Sequence, residues 1–163
     1  PGTYEVEPGC TIREIIFDLG GGIPDEKKIK AVLLGGAAGT FANESQLDTI
    51  LGFVKMREQG LTLGSGAIIV VSEDSSLTKM MTSILEFFKH ESCGKCVPCR
   101  VGTHHIAERW KEVANRPASD KITTLRQIEK MATDMAATSL CPLGQSPVLS
   151  IRSLLSNCIE AID

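Results

Sequence analysis

The stretch ESCGKCVPCRVGT, residues 91–103, holds Cys93, Cys96 and Cys99, three of the chain's six cysteines. A C-x2-C-x2-C run lets one short loop wrap three corners of a compact inorganic group, while a fourth thiolate arrives from elsewhere in the chain. Cys141 is the candidate, and it is followed by Pro142, as such a fourth ligand often is. A [4Fe-4S] cubane fits that demand. Zinc remains the alternative, since four thiolates satisfy it too, although zinc sites usually present two separated C-x2-C pairs. A redox pair of the C-x-x-C kind is a third use of the spacing. Disulfides fit poorly: the amino terminus, PGTYEVEPG, carries no signal peptide, and an apolar fraction of 42% builds a core without staples.

Four thiolates around iron carry net negative charge. Lys95 and Arg100 supply two nearby cations. A helix is expected to open near Val101, just after Cys99, so that its unpaired N–H groups point at the site. Gly94 and Gly102 let backbone approach sulfur closely. Arg100 is the better candidate to touch the bound group from outside its ligands; the plain alternative is a solvated surface charge. Cys158 lies on an apolar helical stripe and reads as a small buried hydrophobe, and Cys10 reads as structural. His104 and His105 follow the triplet, but four thiolates complete the site without an imidazole. GGAAGT, residues 35–40, lacks the lysine and hydroxyl of a phosphate-binding loop and reads as a tight turn. The sequon Asn43-Glu44-Ser45 carries no meaning in a cytosolic chain, and no nucleophile, base and orienting group stand together.

Elements must bring Cys141 to the triplet. In the first half, Thr3–Val6, Ile29–Leu34 and Ala67–Ser72 read as strands, with Ile12, Ile15, Ile16 and Leu19 at helical spacing before Gly20–Gly22. A second short helix is expected over Gly52–Gln59, Phe53 and Met56 inward, with Gly60 as its left-handed cap. The second half reads as four helices. Leu77, Met80, Met81, Ile84, Leu85, Phe87 and Phe88 mark the first, capped from Asp74–Ser76. Ile106, Trp110 and Val113 mark the second, which ends before Arg116-Pro117. Leu125, Ile128, Ala132 and Met135 mark the third, with Ser119 or Asp120 as its cap. The fourth opens with Ser146 as cap and Pro147 in its first turn and runs to Ile162. In an up-and-down bundle the first and third connections share one end, which brings Cys141 to Cys93, Cys96 and Cys99. The expected fold class is therefore α+β: a small sheet domain over 1–74, then an all-α four-helix bundle over 75–163.

The bulk numbers exclude several roles. A net charge of −3 with mixed signs gives no stripe for nucleic acid, and no apolar run is long enough to span a bilayer. The chain reads as cytosolic. It starts with proline, as expected of a processed product or a piece of something longer.

ESCGKCVPCRVGT together with SLCPLG, residues 139–144, resembles the iron-sulfur signature of the flavoprotein subunit of NADH:quinone oxidoreductase (complex I) and of related NAD-linked hydrogenases and formate dehydrogenases. Glu91, Ser92, Cys93, Gly94, Cys96, Pro98, Cys99, Arg100, Gly102, Thr103, Cys141, Leu143 and Gly144 match that pattern. PGTYEVEPGCTIREII, GGAAGT and LTLGSGAIIVVSED resemble the soluble-ligand-binding β-grasp domain beside it, and QSPVLSIRSLL looks closer to the hydrogenase or formate dehydrogenase branch. The resemblance implies a carboxy-terminal part of such a subunit, since nothing here corresponds to the FMN- and NADH-binding domain of the family. It implies Cys93, Cys96, Cys99 and Cys141 as ligands of one [4Fe-4S] cluster passing electrons from NADH-reduced FMN to downstream clusters. FMN and NAD would belong to the full-length subunit, so the chain alone is not expected to be catalytic. The implied partners are the FMN/NADH domain of the same subunit and other iron-sulfur subunits, with no nucleic acid and no membrane insertion. The implied location is cytoplasmic, peripheral on the inner face of the membrane through the complex. The competing reading is a ligand-binding or docking module stapled by a redox-silent four-cysteine zinc site.

Overall fold

The computed structural model describes residues 1–113 and 118–162. It is an α+β fold with a three-stranded sheet. Helix α1, Ile12–Glu14, opens with a capping box: the Thr11 hydroxyl accepts the Glu14 N–H and the Glu14 carboxylate accepts the Thr11 N–H. It widens to π geometry over Ile15–Leu19 and stops at Gly20. Strands β1 (Ile29–Leu34), β2 (Thr40–Ala42) and β3 (Ile68–Ser72) form an antiparallel sheet in the order β2-β1-β3. The turn at GGAAGT permits a close crossing: a Cβ on Gly64 would sit 2.6 Å from the Gly35 Cα.

The sheet is covered on both faces, and strand alternation decides which residue faces which. Val32, Leu34 and Ala42 pack with Ile12, Ile16, Leu47, Met56 and Leu61. Ala31, Leu33, Phe41 and Val71 turn the other way and join the core of the helical half, with Leu77, Met81, Trp110 and Ile151. Double coverage explains the unbroken burial of β1 over residues 31–34. Edge strand β2 is closed by side chains from the far end of the chain. Ser153 Oγ accepts the Phe41 N–H at 2.8 Å, and Asn157 Nδ2 donates to the Phe41 carbonyl at 2.7 Å.

The helical half comprises α3 (Leu77–Glu91), α4 (Val97–Val113), α5 (Ala118–Thr138), the short α6 (Pro142–Gln145) and α7 (Pro147–Asn157). Helix α4 packs between α3 and α5, and α5 packs on α7. Ser76 caps α3 by accepting the Lys79 N–H. Trp110 is fully buried and donates its indole N–H to the Thr78 carbonyl at 3.1 Å.

Several expectations need correction. Thr3–Val6 is not a strand; Tyr4 is exposed, and no strand among the described residues pairs with this segment. The third strand is instead Thr40–Ala42, too short for its alternation to register in sequence. Helix α2, Phe53–Glu58, buries Met56 but leaves Phe53 71% exposed at its first position. Phe87 is exposed beside a buried Phe88. Helix α5 begins at Ala118, so Ser119 and Asp120 lie inside its first turn, and the expected boundary at Arg116-Pro117 lies outside the described residues. Ser146 holds the cap position of α7, but its hydroxyl donates to the Pro142 carbonyl at 2.7 Å instead of capping. That helix ends at Asn157, followed by a 3-10 turn over Ile159–Ala161.

Candidate metal centre

The triplet lies where α3 gives way to α4. Ser92 ends α3 in an extended conformation, and Gly94 turns the chain with φ +74°, a value side-chain-bearing residues adopt at a cost. Helix α4 begins at Val97, not near Val101 as its pattern suggested. The triplet is therefore not all loop. Cys96 occupies the N-cap position, its carbonyl accepting the Arg100 N–H at 3.0 Å, and Cys99 sits on the first turn.

That one-turn shift sets the chemistry of Cys96. Backbone N–H groups of Leu140 and then Cys99 hydrogen-bond its sulfur and hold the thiol below its ordinary value, because each stabilises thiolate over thiol. The Cys99 N–H is the donor that a capping side chain normally takes. The Leu140 N–H comes from the other cysteine-bearing connection, immediately before Cys141. The two connections thus meet at Cys96.

A second contact confirms the meeting. Helix α6 passes so close to α4 that a Cβ on Gly144 would stand 3.0 Å from the Cys99 Cβ and 2.3 Å from Ser139 Oγ. Only glycine closes that gap. Cys99 is buried, with its sulfur 3.4 Å from the Ser92 hydroxyl, while its carbonyl accepts the Thr103 hydroxyl at 2.8 Å. Cys141 precedes α6 in an extended conformation (φ −141°, ψ 167°), and Cys93 and Cys141 are both exposed. Cys96 and Cys99 are thus drawn against the 139–144 segment, which contains Cys141.

Arg100 is exposed, and its Nη1 donates to the Gly94 carbonyl at 2.6 Å, tying the loop between Cys93 and Cys96 to α4. Lys95 faces solvent. Gly102, expected to admit backbone to sulfur, instead admits Met135: a Cβ there would lie 2.6 Å from the Met135 sulfur. His104 and His105 are exposed and stack edge to face at 5.9 Å. Cys158 is buried and its thiol is pushed up to about 11 by desolvation, the behaviour of an inert core residue.

The residues fit a bound cluster on three counts. The donors are thiols, with backbone N–H groups already turned to one of them. Gly144 lets the α6 backbone close against Ser139 and Cys99. Ser139 Oγ is buried without a hydrogen-bond partner of standard geometry among the described residues, an arrangement that costs roughly 1–3 kcal/mol unless a bound group relieves it. Among the described residues no three Cys, His, Asp or Glu side chains are grouped to hold a single metal ion. Ser139 and the Leu140 N–H escaped the sequence reading as site groups, and Ser92 entered it only as part of the matching signature. A serine two residues before a ligand has no distinguishing pattern, and a backbone N–H has none at all.

Comparison with known proteins places these features. The family described as "NADH-ubiquinone oxidoreductase-F iron-sulfur binding region" matches residues 79–163. The chain is 35% identical to the NADP-reducing hydrogenase subunit HndC of Solidesulfovibrio fructosivorans over 98% of its own length and 33% of the relative's. It is 32% identical to the F subunit of NADH-quinone oxidoreductase in Aquifex aeolicus, over 98% of this chain and 36% of that one. It thus spans about a third of the length of these curated relatives. A crystal structure of an NAD+-reducing [NiFe]-hydrogenase in the H2-reduced state matches with a TM-score of 0.80 at 26% identity, covering 99% of this chain and 26% of that one.

Proposed function

The chain belongs to the family of the NADH-ubiquinone oxidoreductase-F iron-sulfur binding region, and from that premise we propose that it is the electron-transfer module of an NADH-oxidising flavoprotein subunit. Cys93, Cys96, Cys99 and Cys141 hold one [4Fe-4S] cluster in this reading. The observation that carries it is the Leu140 N–H bonded to the Cys96 sulfur, which joins the two cysteine-bearing connections. When bound, the cluster takes up and gives up single electrons. The chain's own residues do the rest. Leu140 and Cys99 N–H groups offset negative charge at sulfur, Gly144 lets α6 close on Cys99, and Arg100 fixes the Gly94 turn.

In the same reading, residues 1–74 form a β-grasp domain and residues 75–163 a four-helix bundle. The antiparallel sheet and the α3–α4–α5–α7 packing support it. The partners are an FMN- and NADH-binding domain of the same subunit and iron-sulfur subunits that receive the electrons. Val97, Val101 and Leu140, all exposed around the cysteines, with Leu140 75% exposed, provide apolar surface for such a partner. No helix among the described residues is long and apolar enough to cross a membrane. The proposed location is cytoplasmic, peripheral to the membrane through the complex.

Anaerobic reconstitution with iron and sulfide, followed by electron paramagnetic resonance of the reduced protein, tests the assignment. A [4Fe-4S] signal lost or altered in Cys141→Ser is the expected result. A single redox-silent zinc, or a Cys141→Ser signal identical to wild type, overturns it.

A further inference from the structure

We propose that the Ser139 hydroxyl donates a hydrogen bond to a sulfur of the bound cluster and raises its reduction potential, making Ser139 a positioning residue of the site. The proposal rests on the cluster reading above.

Ser139 follows the last residue of α5 and is 7% exposed, with its Oγ shut off from solvent. Its backbone is fixed on both sides: the N–H donates to the Met135 carbonyl at 2.9 Å, and its own carbonyl accepts Gln145 Nε2 at 3.0 Å. Its side chain is wedged against Gly144, where an added Cβ would meet Oγ at 2.3 Å and the Ser139 Cβ at 2.6 Å. The hydroxyl has little freedom to swing away.

Three other buried hydroxyls donate to carbonyls. Thr103 donates to Cys99, Ser150 to Pro147 and Ser153 to Leu149. Ser139 takes no such bond. Its hydroxyl faces the Cys96 sulfur, beside the Leu140 N–H that reaches the same atom. A donor held in the dry wall of a thiolate site, without a protein oxygen or nitrogen to serve, is matched to cluster sulfur, whose negative charge grows on reduction. Hydrogen bonds to sulfur stabilise the reduced form more than the oxidised form.

The test uses the full-length protein as it is isolated, with any subunits that accompany it. Potentiometric titration followed by electron paramagnetic resonance compares wild type, Ser139→Ala and Ser139→Thr. At the wild-type midpoint, Ser139→Ala is expected to show the ratio of reduced to oxidised cluster fall roughly tenfold, a shift of about 59 mV to lower potential for a one-electron couple. Ser139→Thr, which keeps the donor, should titrate close to wild type. The method reads only loaded molecules, so partial occupancy leaves the comparison intact. Should Ser139→Ala fail to load at all, wild type grown with serine carrying 13C at its β-carbon reads the contact through carbon coupling to the reduced cluster, and Ser139→Thr must remove one such coupling. A Ser139→Ala protein with full iron and sulfide and an unchanged midpoint, or no coupling lost in Ser139→Thr, overturns the Ser139 proposal and leaves the cluster reading standing. A wild-type protein with no iron-sulfur signal overturns both.

Discussion

Gly144 shows how little room the site leaves. An added methyl would need space already taken by Ser139 Oγ and the Cys99 Cβ, so Gly144→Ala must push α6 away from α4. Overpacking of this kind costs roughly 1–3 kcal/mol. The expected outcome is a lower melting temperature and a marked fall in iron and acid-labile sulfide per chain. Cys158→Ala is the opposite case. Its sulfur lies in the core, 3.8 Å from the Ala42 carbonyl beside the sheet. It should lose stability by about 1 kcal/mol through the small cavity and keep its full iron content by elemental analysis. The triplet, Cys141 and the inert Cys158 were all legible as residue types at particular spacings. Ser139 was not, because its importance comes from the absence of any other partner, which only packing reveals.

Between elements, α3 and α4 are clamped by alternating charges. Lys89 bonds Glu108 at 2.8 Å, Lys111 bonds Glu86 at 2.6 Å and Glu108 at 3.1 Å, and Lys89 approaches Glu86 at 3.5 Å. Hydrogen bonds from Lys89 and then Lys111 hold the Glu108 carboxyl well below its ordinary value, down to about 2. A folded-state value depressed below the unfolded one stabilises the fold above the ordinary carboxylate range, and the contribution is lost as pH falls toward the folded value. The stability gap between wild type and Glu108→Gln should therefore be present at neutral pH and shrink from about 4.5 toward about 2. Urea denaturation across that range measures it; a gap independent of pH would contradict the clamp. The helices themselves were readable because their apolar stripes recur at the helical period. Their ends were less so. Helix α4 starts one turn earlier than its stripe because Cys96 caps it and Pro98 fits its first turn, where a missing N–H costs nothing, and neither leaves a periodic apolar pattern.

Across the whole molecule, one hydrophobic cluster runs from the sheet into the helices. Phe41 is fully buried in the same cluster as Trp110 and Ile151. Phe41→Ala should cost about 3–5 kcal/mol and move the unfolding of Trp110, followed by its fluorescence, together with that of the sheet, followed by circular dichroism. Two separated transitions, with Trp110 unaffected, would show the halves to be energetically independent. Ser153→Ala acts at the same junction by leaving the buried Phe41 N–H without an acceptor, an effect of roughly 1–3 kcal/mol on the same transition.

The sequence by itself determined the chemistry on offer: three clustered thiols with a fourth before a proline, the periodic stripes of four helices, and the β-branched runs of two strands. These are local properties, set by residue type and spacing over a few turns of chain. The tertiary structure decided what spacing cannot encode. It turned the Leu140 N–H onto Cys96, closed Gly144 over Cys99, buried the Ser139 hydroxyl facing the Cys96 sulfur, and covered the second face of the sheet with α7. Each is a contact between segments distant in sequence, fixed by close packing and by the need to satisfy buried polar groups, and neither constraint has a period to read.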